Sequence, residues 1–361
     1  MNEKNKGVKL IILILLIGAG GNFFINQLST VIGVDFYHFW AVDVVLKITN
    51  TKINNPYKEG SKEFANVLAY IANNSQDKKL KAVQRYRSFP EFTASPILYT
   101  FFSFFPKNYS IALLIFQIIQ MLLFFSGFLI LYYLLKDKKL DFLALCFSLI
   151  IFRFFTPLIH DMLAGNTNII QFALLILSIF LADHVLTVKR NFEKVLISIS
   201  FFILLNFLII LKLNILIIAV LLIIYFFINI DIKTFLISYG VSLVFTVCLI
   251  LLSCLYFNDG QIWSRWLAFI ENQNTLLRPI KYANYSTPVI ISHFTGLTVK
   301  ISTIITILTL VITGLAAPII YRTIYHKNEG IFKYFKNLFI TIFKDIYLVT
   351  SLGITVTFAI A

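Results

Sequence analysis

Charge is what this sequence has least of. Only 13% of its 361 residues are Asp, Glu, Lys or Arg, and 59% are hydrophobic, with a mean hydropathy of +0.85. A soluble domain carries about a quarter charged residues, so a soluble globular chain is excluded. Membrane spans, each about 20 mostly apolar residues long, become the unit of organisation. Acidic residues are scarcer than basic ones, 17 against 31, for a net charge of +14. The excess does not call for nucleic acid, because Lys and Arg cluster between apolar runs, as they do beside anionic lipid headgroups. Cysteine is nearly absent. Cys146, Cys248 and Cys254 all sit inside apolar runs, none at metal spacing from a His or another Cys. That pattern excludes a disulfide framework and a zinc site. The sequence also has no glycine-rich phosphate loop, and no cofactor is expected.

What it has instead is long apolar runs. Residues 8–28, 110–135, 140–158, 169–187, 195–211, 214–230, 234–256, 299–321 and 341–361 predict about nine transmembrane helices in an all-α polytopic membrane protein. The basic start, MNEKNKGVK, leads into an apolar run longer than a signal-peptide core and without a small-x-small cleavage site, so an uncleaved first span is expected. The separators KDKK, KRNFEK, DIK and RTIYHKNEGIFKYFK are short and basic, which assigns them and the N-terminus to the cytoplasm. Residues 29–109 and 258–298 then form two extracytoplasmic segments. The first is rich in lysine, but loops beyond about 60 residues escape the charge rule.

Within that segment, residues 42–48 and 64–71 have helical apolar spacing with lysines on the other faces, and read as amphipathic helices on the membrane surface. SPILYTFF (95–102) is too short to span and is expected to pack at the interface. The chain, 1–361, reads as a single transmembrane domain. It stops at TFAIA with no polar flank, which predicts a sequence that continues.

Several polar residues stand out against this background. Asp35 sits in GVDFYHFW, just past the first apolar run. A carboxylate at the mouth of a helix bundle, partly stripped of water, suits a general base; a solvated acid past a helix end is the plain alternative. Pro56-Tyr57 reads as a turn. Arg85 and Arg87 suit headgroup snorkelling or capture of a lipid-linked phosphate. Arg153 and His160 near an outer helix end allow the same two readings. Lys212 lies between nearly continuous apolar runs, where a lysine faces a cavity or snorkels outward. Asp161, Gly165, Asn166 and Asn168 form a polar knot between two spans, in part explicable as a helix cap. Arg278 and the NYS of Asn284 to Ser286 fall in the second outer segment.

Taken in order, these pieces resemble the membrane glycosyltransferases of family 87, multi-span enzymes of the C-type architecture that include polyprenyl-phosphate-mannose-dependent mannosyltransferases. VDFYHFWAVDVVLKITNTKINNPY (34–57) is similar to the family's opening aspartate, aromatics, short helix and Pro-Tyr pair. FTASPILYTFFSFFP (92–106) resembles its aromatic–proline segment, GNTN (165–168) its Gly-Gln-x-Asn with Asn166 in place of Gln, LKLN (211–214) its lysine between spans, and NYS (284–286) its outer-loop Asn-Gln-Ser. The tyrosine and proline expected before Pro96, the proline after Lys212, and a late motif of Ser, Pro, Trp and paired His are absent.

The resemblance implies a hexosyltransferase of a bacterial plasma (inner) membrane with an extracytoplasmic active site. A sugar, mannose favoured, would pass from a polyprenyl-phosphate donor to a glycan or glycolipid hydroxyl. Asp35 would be the catalytic base. Lys212, Arg153 and Arg278 would hold the donor phosphate, and Tyr37, Tyr57, His160, Asp161, Asn166, Asn168, Asn284 and Ser286 would line the substrate pocket. The partners implied are the lipid donor, the acceptor and the bilayer, with no nucleic acid and no metal. A secondary transporter with a midplane site at Lys212, and a polymerase or ligase of lipid-linked glycans, remain the alternatives. A protein-mannosyltransferase or aminoarabinose-transferase type is disfavoured, because Phe36 rather than Glu follows Asp35.

Overall fold

A computed structural model describes residues 31–58, 62–88, 92–136, 156–275 and 331–360, with parts of 10–22 and 294–309. Every regular element among the described residues is helical. Among the described residues four helices are long and apolar enough to cross a bilayer: Tyr109–Leu134, Asn168–Val185, Asn191–Leu211 and Ile232–Phe257. A bent pair, Lys333–Lys344 with Ile346–Ile354, makes a fifth if the two count as one span. Most of the expected runs 140–158 and 299–321 lies outside the described residues, as does much of 8–28. Contacts divide the chain into two compact units, Met1–Phe180 with Val247–Trp266, and Leu181–Thr246 with Leu267–Ala361.

The first unit is organised around helix α1, Val34–Ile48. The sequence predicts a surface helix over 42–48, and the structure corrects this. The helix begins eight residues earlier than that, and Val42, Val44, Val45 and Leu46 are buried along with Phe36, Tyr37, Phe39 and Trp40. The aromatic run ahead of residue 42 extends the apolar surface around the whole helix, and a helix apolar all round belongs inside. Its one mid-helix acid, Asp43, is 3% exposed. Asp43 takes an ion pair from Lys47 Nζ at 2.7 Å and a hydrogen bond from the Tyr256 hydroxyl at 2.8 Å, which together satisfy the buried carboxylate.

Short helices pack around α1. Helix α2, Lys62–Asn74, is amphipathic as expected, with Phe64, Ala65, Leu68 and Ala72 buried. Helix α3, Lys78–Tyr86, is strongly basic and starts at Asp77, whose Oδ1 accepts from the backbone N–H groups of Lys79 and Leu80. Helix α4, Pro96–Phe102, is short and buried on nearly every side. Phe36 contacts the rings of Phe102, Phe105, Tyr109 and Phe116, joining α1 and α4 to the start of the span α5, Tyr109–Lys136. The short helix α6, Thr156–Ala164, leads through a turn into α7, Asn168–Val185.

In the second unit, α8 (Asn191–Leu211) breaks at Lys212 into a single 3₁₀ turn and resumes as α9, Leu216–Asn229. Fourteen residues are too few for α9 to span alone. Phe201 and Phe226 stack at 4.4 Å between α8 and α9. The span α10, Ile232–Phe257, follows, and Asn206 of α8 donates to the Ser242 hydroxyl at 3.1 Å. Helix α11, Ile262–Thr275, comes next in the chain.

The end of the chain departs from expectation. The sequence predicts a basic separator reaching residue 336 and an apolar helix over 341–361. Instead Ile331–Lys344 (α12) is one amphipathic helix with Lys333, Lys336 and Lys344 exposed, and the chain bends by 94° before α13, Ile346–Ile360. Asp345 makes the corner, its Oδ1 accepting from the N–H of Tyr347 at 2.8 Å. Gly353 lets α13 approach α9 closely: a Cβ there would sit 3.2 Å from Ile218 Cα.

Candidate active site

Asp35 lies in the first turn of α1, where the partial positive charge of the helix N-terminus favours a carboxylate. It is half-buried, and its Oδ2 accepts from Asn166 Nδ2 at 3.0 Å. Among the described residues its Oδ1 has no hydrogen-bond partner.

Asn166 is held by the turn between α6 and α7. Gly165 adopts φ +74°, and a Cβ there would lie 2.6 Å from Phe36 Cβ. Only glycine gives both the left-handed backbone and that approach to α1. The Asn166 N–H closes the end of α6 on the Asp161 carbonyl at 2.9 Å. Asn168 Nδ2 donates to Asp161 Oδ2 at 2.9 Å. From the span α5, buried Gln120 donates its Nε2 to the Asn166 carbonyl. The Gln120 Oε1 has no partner among the described residues.

The structure therefore brings Asp35, Asp161, Asn166 and Asn168 into one polar cluster. Gln120 was missed from the sequence. Its signal was there: Gln117 and Gln120, one turn apart in an apolar span, are both buried. Polar side chains in a span face the protein interior.

The other expected residues are placed differently. Tyr37 and Tyr57 are buried in the core of the same unit. Tyr37 packs against Trp40 and Tyr109, and burial pushes its phenol up. Tyr57 donates its hydroxyl to the Ala94 carbonyl at 2.8 Å, joining the Pro-Tyr turn to the FTASP segment; burial and then the Tyr99 phenol raise it. Trp266 Nε1 reaches the same segment through the Thr93 carbonyl at 3.2 Å. His160 is exposed on α6. Lys212 is half-buried at the break between α8 and α9 in the second unit. Arg153, Arg278, Asn284 and Ser286 lie outside the described residues. Among the described residues no three His, Cys, Asp or Glu side chains gather as a metal site.

Chemically, the cluster offers one carboxylate oxygen oriented by an amide and another ready to accept a proton. That is the minimum a general base needs.

Comparison with curated proteins and with solved structures finds no match. Residues 93–341 match the model of glycosyltransferase family 87. The matched segment contains Gln120, the 165–168 turn and Lys212, while Asp35 and Tyr57 precede it. With more than half of its length matched and four long apolar helices, the chain belongs to glycosyltransferase family 87 and is a membrane glycosyltransferase.

Proposed function

We propose that this protein transfers a hexose or pentose, mannose favoured, from a polyprenyl-phosphate donor to a hydroxyl of an extracytoplasmic glycan or glycolipid, with Asp35 as the general base. The observation that carries this reading is the hydrogen bond between Asn166 and Asp35. It ties the aspartate of the first polar segment to the Gly-x-x-Asn turn inside the family match.

In the proposed step, Asp35 Oδ1 takes the proton of the acceptor hydroxyl. The hydroxyl oxygen forms the new bond to the anomeric carbon, and the bond from that carbon to the phosphate oxygen breaks. Polyprenyl phosphate leaves with the electron pair. Charge grows on that phosphate, so cations beside it lower the barrier. Lys212, Arg153 and Arg278 are the proposed cations. The site faces the extracytoplasmic side of a bacterial plasma membrane in this reading, where the donor's isoprenoid tail stays in the bilayer. One transmembrane domain over 1–361, about nine spans and the C-type architecture go with it.

The test is sugar transfer in membranes containing Asp35→Asn at normal expression. General-base catalysis contributes roughly 10²- to 10⁴-fold, and a loss of that size is expected. Wild-type rates in the variant would refute the role of Asp35. Separate feeding of monophosphate and diphosphate lipid donors distinguishes this reaction from that of a polymerase or ligase.

A further inference from the structure

At the far end of α1 from Asp35, the first unit contains a cavity of about 230 Å³. Lys47 and Ile48 of α1 line it. Lys47 is about 18 Å from Asp35 along the helix axis, at 1.5 Å per residue. Pockets for drug-sized ligands run roughly 300–1,000 Å³, so this one suits a single small ring.

The lining is mixed: Trp40, Val44, Ile71 and Leu80 are apolar, and Lys47, Ser75, Asp77, Lys107 and Asn108 are polar. The charges of the polar lining cancel. Lys47 is neutralised by Asp43 at 2.7 Å, and Lys107 and Asp77 carry opposite signs. A phosphate dianion would have no net cation to meet.

The lining is also rich in donors. Asp77 already accepts from the Lys79 and Leu80 amides and from both the amide and the hydroxyl of Ser110. Three of those bonds fall on Oδ1 and one on Oδ2, so most of the carboxylate's acceptor capacity is used. Asn108 Oδ1 is taken by the Ile111 N–H. Lys47 spends two of its three donors on Asp43 and the Ser103 carbonyl, so the Lys107 ammonium, the Asn108 amide N–H and the Ser75 hydroxyl are the main donors of the lining.

A ligand for this cavity is neutral and carries both several oxygen acceptors and C–H surface. A pyranose ring has that chemistry. We propose that the cavity is a carbohydrate subsite that holds one uncharged sugar ring of an extended acceptor glycan, remote from the reacting hydroxyl. The proposal rests on the glycosyl-transfer reading and narrows the acceptor to an oligosaccharide.

The test uses the purified full chain in detergent and saturation-transfer NMR with linear manno-, gluco- and galactotriose as probes. Lys107→Ala removes an exposed donor, and Ile71→Trp fills the cavity. At least one triose is expected to bind wild type and Asp35→Asn equally, and both cavity variants at least tenfold more weakly. In a transfer assay the cavity variants raise KM for the triose acceptor about tenfold and leave kcat unchanged.

Unchanged triose binding in Lys107→Ala and Ile71→Trp overturns the subsite. So does binding of inorganic phosphate with no binding of any triose. If binding falls in both variants but wild type transfers no sugar from polyprenyl phosphate, the subsite stands and the donor reading fails. If transfer depends on Asp35 while the cavity variants bind triose like wild type, the reverse holds.

Discussion

Asn166 donates its side-chain amide to the Asp35 carboxylate at 3.0 Å across 131 positions of sequence. The bond fixes one oxygen of the proposed base and leaves the other in place to accept a proton. A hydrogen bond to a charged group contributes about 1.5–3 kcal/mol.

Loss of that bond should therefore be visible in the rate. Asn166→Ala is expected to lower transfer roughly 10- to 100-fold, since about 1.4 kcal/mol is tenfold. Asn166→Gln keeps the amide and is expected to retain more activity than the alanine variant. Equal rates for the two variants in a membrane transfer assay would remove the orienting role.

Gly165 should tolerate no side chain. At φ +74° a Cβ would stand 2.6 Å from Phe36 Cβ. The left-handed backbone costs about 1–2 kcal/mol, and overpacking adds about 1–3. Gly165→Ala is expected to lower the unfolding temperature in detergent by several degrees and to reduce transfer with it. An unchanged melting curve would show that α1 and the turn do not pack this way.

Asp43 and Lys47 are unequal partners, with side chains 4% and 39% exposed. Removing the cation leaves a buried carboxylate served only by the Tyr256 hydroxyl. Breaking a buried pair costs about 3–5 kcal/mol, and the partial exposure of Lys47 puts Lys47→Met near the lower end. Asp43→Asn combined with Lys47→Met is expected to be more stable than Lys47→Met alone, because no charge is then stranded. A double-mutant cycle in chemical denaturation measures this; additive losses would contradict it.

Asp77 gives the molecule an acid-sensitive joint. Burial opposes its charge, but the hydroxyl and amide of Ser110 and the amides of Leu80 and Lys79 outweigh that and hold the carboxyl below its ordinary value. A lowered folded-state value means stability that is full above the unfolded value, about 3.9. It is lost as pH falls through the folded value. Protection factors at the Lys79, Leu80 and Ser110 amides, corrected for the intrinsic exchange rate at each pH, should therefore fall on acidification below about pH 4. In Asp77→Ala the protection should already be reduced at neutral pH, with a capping loss of about 0.5–2 kcal/mol. Protection that does not change between pH 6 and pH 3 in wild type would exclude the joint.

Some of this was legible before any coordinates. The apolar runs at 110–135, 169–187, 195–211 and 234–256 became long helices, and the amphipathic stretch 64–71 became α2. The polar break at Lys212 interrupts α8 and α9 where the run of apolar residues suggested a turn. Asp35 and the 165–168 turn were singled out separately, as members of an ordered set of motifs. Helix α3 was not anticipated, because KKLKAVQRY carries too little apolar surface to announce itself without Asp77 at its start.

Hydropathy and side-chain periodicity are sums over neighbours in the chain, so the sequence by itself determined membrane character, helical content and the order of the polar motifs. Which face of α1 is buried, which amide meets Asp35, and how the chain turns at Asp345 depend on groups far apart in sequence or on a single corner residue. Asp43 and Tyr256, 213 residues apart, make the point. Tertiary packing decided them, because a buried polar group must find a partner and only the folded chain supplies one.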